Sequence, residues 1–120
     1  MTWRRRGASI HFWRAEAVRV ALIQTRTPAS HAAALGHVLP LVRQAADAGA
    51  ELILTPEGTN ILQKDRDRLR AALTTVEADP VVCGLRALAR ERGVHVLIGS
   101  VLVDAGGEKA ANRSLLVGPD

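Results

Sequence analysis

Ala50-Glu51-Leu52-Ile53-Leu54-Thr55-Pro56-Glu57-Gly58-Thr59-Asn60 is an apolar run that ends abruptly at a Pro-Glu pair and a glycine. Leu52 to Thr55 reads as a strand buried on both faces, the pattern of a parallel sheet. Pro56 has no N–H to give to a ladder, so the strand stops there. Glu57 is then expected at the C-terminal end of a parallel strand, where open α/β sheets place their ligands. Partial desolvation at such a place suits a carboxylate to proton transfer. The local sequence is equally compatible with a solvated loop acid.

Upstream, Val18-Arg19-Val20-Ala21-Leu22-Ile23-Gln24 is rich in β-branched and apolar residues and reads as a first strand, covered on both sides. Ser30 is a plausible N-cap for a helix reaching about Ala48, with Leu35, Val38, Leu39, Val42, Ala45 and Ala46 on one stripe. Pro40 removes one backbone bond and is expected to kink it. Gly49 stops it. Strand, helix and strand make one βαβ unit, for which a right-handed crossover is the rule.

Downstream, residues 64–77 read as a second helix with Leu69, Leu73 and Val76 inward. Its alternating charges, Lys64 to Arg70, describe a solvated face better than an anion site. Asp79-Pro80 is a cap followed by proline at the first helical position. The helix it opens runs to about Arg92 and buries Val81, Val82, Leu85, Leu88 and Ala89, with Gly93 as its stop. A third strand covers Val94 to Ile98 and resumes at Val101–Val103, with Gly99 marking a bulge or a close backbone approach. After a turn over residues 104–108, Arg113 to Val117 form a last strand.

The 120 residues suit one domain. All three aromatics, Trp3, Phe12 and Trp13, precede residue 14, so the core beyond them is aliphatic. Residues 1–17 hold four arginines against one glutamate, whereas the remainder holds twelve basic and eleven acidic residues. The positive charge therefore belongs to a segment expected to be a disordered basic leader. The nearly balanced body argues against nucleic-acid binding. Ser9, His11 and Arg14 interrupt any signal-peptide core. No apolar run reaches the length of a membrane span. A single cysteine excludes an internal disulfide and points to a reducing, cytoplasmic setting.

Other chemistry-bearing residues read as structural. Cys83 falls off the apolar stripe of its helix, near Arg86, and is expected to be partly exposed without a role. His31 and His37 read as helix-surface residues and His95 as a strand residue, with no metal-ligand spacing. Ser100 lies at a strand break without nucleophile-elbow spacing. Residues 104–107 precede a strand and so are no phosphate loop. No cofactor is implied.

Taken together, Val20–Gln24, Ala45–Ala50, Leu52–Glu57, Leu88–Val103 with its Ile98-Gly99-Ser100 end, and Ala111–Asp120 resemble the opening of the carbon–nitrogen hydrolase (nitrilase) superfamily, in order and spacing. The variants Thr-Pro-Glu-Gly-Thr-Asn and Ala-Asn-Arg-Ser are most similar to the amidase branch that includes omega-amidases and deaminated glutathione amidase. The resemblance implies that residues 18–120 are the N-terminal part of a four-layer α-β-β-α sandwich. It implies a homo-oligomer acting on a small amide or nitrile through a Glu-Lys-Cys triad. Glu57 maps onto the base. The family's lysine follows the segment matching Leu115–Asp120, and its cysteine comes later still; Lys64, Lys109 and Cys83 match neither. The chain is therefore expected to be inactive alone, with apolar faces left uncovered. The alternative is a non-catalytic α/β interaction module built on the same scaffold.

Overall fold

The computed structural model describes residues 2–5, 8–11 and 17–120. Strands β1 (Thr2–Arg5) and β2 (Ala8–His11) pair antiparallel as a separate two-stranded ribbon. Of the segment expected as a disordered leader, residues 1, 6–7 and 12–16, Phe12 and Trp13 included, lie outside the described residues.

The domain proper follows the order β3 (Val20–Leu22), α1 (His31–Asp47), β4 (Leu52–Thr55), α2 (Arg66–Ala72), α3 (Pro80–Arg92), β5 (His95–Asp104) and β6 (Ala110–Val117). The four strands lie side by side in chain order; β3, β4 and β5 are parallel and β6 is antiparallel. β4 ends at Thr55, as the proline requires. The side chain of Ser30 caps α1 by accepting from the N–H of Ala33 at 3.2 Å. Pro40 lies inside α1 on its exposed side, and the helix runs through it. Asp79 caps α3, accepting from the N–H groups of Val81 and Val82 at 2.9 and 3.0 Å. Gly93 closes α3 at φ +66°, a left-handed conformation that glycine takes without a Cβ penalty.

Helices α1 and α3 pack against each other and cover one face of the sheet. Ala34, Val38 and Val42 of α1 meet Val81, Val82, Leu85, Leu88 and Ala89 of α3. Beneath them lie Ile53, Val96, Ile98, Val101 and Val103, all fully buried. The crossing is close at Gly84, where a Cβ would come within 2.5 Å of Leu35 Cδ1. Within this aliphatic layer, burial alternates along β4 and along β5 as the pleat demands, except at Ser100 and Val101, which are both buried.

Five expectations need correction. The strands, read locally as covered on both faces, are covered on one, in keeping with the expectation that apolar faces are left open. The opposite face carries Leu22, Leu54, Leu97 and Leu116 in one row across all four strands, with Leu22 78% and Leu116 66% exposed. Edge strand β3 is correspondingly short, three residues where seven were expected. The second helix spans only Arg66–Ala72, because the carbonyl of Thr74 accepts from Asp104 N at 2.8 Å and draws the chain to the end of β5. Finally, His31 is not a surface residue: it faces the N-terminus of α3, its side chain only 12% exposed, with Nε2 3.4 Å from Asp79 Oδ2. β6 also begins at Ala110, earlier than expected.

Candidate active site

Glu57 occupies the expected place, one residue beyond the Pro56 that ends β4. The loop that carries it is a buried structure. Among residues 57–61 only Glu57 is exposed; Gly58, Thr59, Asn60 and Ile61 are buried. Gly58 turns the chain at φ +64°. The carbonyl of Pro56 accepts from Ser100 N at 2.8 Å and from Thr59 Oγ1 at 2.5 Å. Thr59 N returns to the carbonyl of Ser100 at 2.8 Å.

Asn60 locks the far end of the loop. Its side chain is fully buried; Nδ2 donates to Asp79 Oδ2 and to the carbonyl of Leu102, both at 2.7 Å, and Oδ1 accepts from Leu102 N at 2.9 Å. The helix cap, the loop and β5 thus share one polar knot in an otherwise aliphatic interior. Buried polar groups persist only when paired in this way. His31 Nε2 adds no hydrogen bond to it.

The carboxylate of Glu57 is exposed, so the partial desolvation expected from its place in the sheet is absent. What holds it is Asn112 on β6, whose Nδ2 donates to Glu57 Oε1 at 3.1 Å. Asn112 Oδ1 in turn accepts from the hydroxyl of Ser100. Asn112 pairs in register with Leu102 and, by strand alternation, shares the uncovered side of β6 with Leu116. The carboxylate is thus held from that side of the sheet. Sequence reasoning used Ala-Asn-Arg-Ser as a resemblance but assigned Asn112 no role; its 55-residue separation from Glu57 leaves no local signal.

Among the described residues, none of Cys83, Lys64 and Lys109 makes a hydrogen bond or ion pair with Glu57. Cys83 is exposed on α3, its thiol directed at the carbonyl of Glu77 at 3.3 Å. Lys109 lines a cleft of about 400 Å³ between α2 and the β5–β6 turn, with Arg66, Arg70, Asp104 and Glu108; Glu57 does not line it. Among the described residues, no cluster of three or more His, Cys, Asp or Glu side chains could hold a metal. No helix among them is long and apolar enough to cross a membrane.

A family model described as carbon–nitrogen hydrolase matches residues 19–120. No curated protein matches the chain. Among solved structures, an amidase from Nesterenkonia sp. superposes with a TM-score of 0.68 at 26% identity, covering 85% of this chain and 38% of its own. A Glu-to-Gln variant of the amidase from Nesterenkonia sp. AN1, with acrylamide added to its active-site cysteine, gives 0.69 at 25% identity, with 86% and 40% covered. Nit3 of Saccharomyces cerevisiae, a member of branch 10 of the nitrilase superfamily, gives 0.69 at 22% identity, with 86% and 40% covered, and bears on the fold alone. The chain spans about 40% of the length of these structures.

Proposed function

The chain belongs to the carbon–nitrogen hydrolase family, and from that premise we propose that Glu57 is the general base of a Glu-Lys-Cys amide hydrolase. The observation that supports it is a carboxylate at the C-terminal end of a parallel strand, exposed and oriented by Asn112 through one oxygen. Glu57 would take the proton of a cysteine thiol as the sulfur attacks the amide carbon. A lysine ammonium would face the oxyanion. Glu57 then returns the proton to the departing ammonia. Water attacks the thioester, giving its proton to Glu57, which passes it to the leaving thiolate as the acid is released.

The proposal draws the lysine and the cysteine from outside residues 18–120, since Lys64, Lys109 and Cys83 do not match the family's lysine and cysteine in their order along the chain. Residues 18–120 alone are then inactive, because triad members act as a unit. The substrate is a small non-peptide amide, with a nitrile as the variant chemistry. The assembly is a cytoplasmic homo-oligomer. A second reading, a non-catalytic interaction module, would use the open row of leucines on the sheet, which the hydrolase reading leaves uncovered as well.

The native locus separates the two. A reading frame that continues past the Asp120 codon into a lysine and, later, a cysteine after a strand supports the hydrolase. A stop codon there favours the module. The encoded enzyme should release ammonia from small amides, and Glu57→Gln should lower kcat by about 100-fold or more. Full activity in that variant would refute the role of Glu57.

A further inference from the structure

Ser100 sits at the one irregularity in the ladder between β5 and β6. Ile98 pairs with Leu115 and Val101 with Arg113, so Gly99 and Ser100 together stand opposite the single residue Ser114. This is a β-bulge, and it resets the phase of the strand: Val96 and Ile98 face the core before it, Val101 and Val103 after it. Gly99 permits the bulge to lie against β4, since a Cβ there would be 3.0 Å from the carbonyl oxygen of Thr55.

The bulge leaves every hydrogen-bonding group of Ser100 directed at the Glu57 loop or at Asn112. Its N–H holds Pro56, its carbonyl holds Thr59, and its hydroxyl reaches Asn112 Oδ1. Ser100 is buried, at 5% exposure. The direction of the chain of bonds follows from the chemistry of its ends. An ionised carboxylate only accepts, so Asn112 must present its amide N–H to Glu57. Its oxygen is then the atom turned to Ser100, whose hydroxyl must donate. Among the described residues, no hydrogen bond reaches Glu57 Oε2.

We propose that Ser100 and Asn112 are positioning residues for Glu57: they anchor Oε1 and leave Oε2 as the oxygen free to take a proton. The proton-accepting role rests on the reading of Glu57 as the base, whereas the anchoring stands without it. Ser100 thereby fixes Glu57 twice, through the backbone on both sides of it and through Asn112 at the carboxylate.

The test uses the full 120-residue chain and measures no turnover. The side-chain amide of Asn112 is followed by ¹H–¹⁵N spectroscopy across the carboxylate titration range. Its resonances should shift as Glu57 ionises, and Glu57→Gln should abolish the shift. Ser100→Ala should remove most of it, while the backbone amides of Thr59 and residue 100 stay in place. Ser100→Thr, which keeps the hydroxyl, should restore it. Asn112→Ala reads the contact from the other end: the Glu57 side chain should average over its rotamers where the parent holds one. The proposal is overturned by an Asn112 shift that survives Glu57→Gln, by one that Ser100→Ala leaves intact, or by unchanged Glu57 rotamers in Asn112→Ala. Any of these would leave Glu57 open to act as a base, and an inactive full enzyme would leave the anchoring untouched.

Discussion

Replacing Asn60 by leucine tests whether the polar knot beneath the Glu57 loop holds the fold together. The two side chains are similar in size, so little cavity is created and the loss is one of hydrogen bonds. Leu102 N–H and C=O lose their partner, and Asp79 Oδ2 loses its donor. His31 does not compensate, since its Nε2 at 3.4 Å makes no hydrogen bond. Two neutral bonds at about 1 kcal/mol each and one to a carboxylate at about 2 kcal/mol sum to roughly 4 kcal/mol. A domain of this size has a total stability of about 6–18 kcal/mol. The variant should therefore lose between a fifth and two thirds of its stability. Urea unfolding followed by far-UV circular dichroism, at one fixed protein concentration, reads this as a lowered midpoint. Asn60→Asp should be at least as damaging, because it sets a second carboxylate against Asp79 in the interior. A loss under about 1 kcal/mol for the leucine variant, or a milder effect for the aspartate, would refute the reasoning.

Two further outcomes follow from packing. Gly99→Ala should destabilise by about 1–3 kcal/mol, because its Cβ would press on the Thr55 carbonyl oxygen, which is backbone and cannot rotate away; an unchanged urea midpoint would show that the bulge yields freely. The leucine row should make the chain self-associate. Leu22→Lys with Leu116→Lys should shift sedimentation toward monomer, since each leucine contributes about 1.5–3 kcal/mol on full burial; unchanged association in the double variant would place the contact elsewhere.

The amino-acid sequence by itself determined the elements whose causes are local. Pro56 closes β4 at Thr55, Ser30 and Asp79-Pro80 open α1 and α3, and the spacing of Val81, Val82, Leu85, Leu88 and Ala89 marks the buried stripe of α3. Gly99 was legible as a bulge or a close approach, and it is both. These features depend on caps, breakers and periodicity within a few residues. The place of Glu57 at the end of a parallel strand belongs to the same class, and the ordered motifs named the family.

Only the tertiary structure decided the rest. Whether an apolar strand is covered on one face or two depends on what packs there, and Leu22 and Leu116 read the same either way. The end of α2 is set by Thr74 meeting β5, not by propensity. His31 is half-buried facing the N-terminus of α3, which begins 49 positions further along the chain. Asn60 meets Asp79 across 19 residues, Leu102 across 42, and Glu57 meets Asn112 across 55. A hydrogen bond closed over such distances has no periodic signature, because the strands that bring its partners together are paired by the sheet and not by the intervening chain.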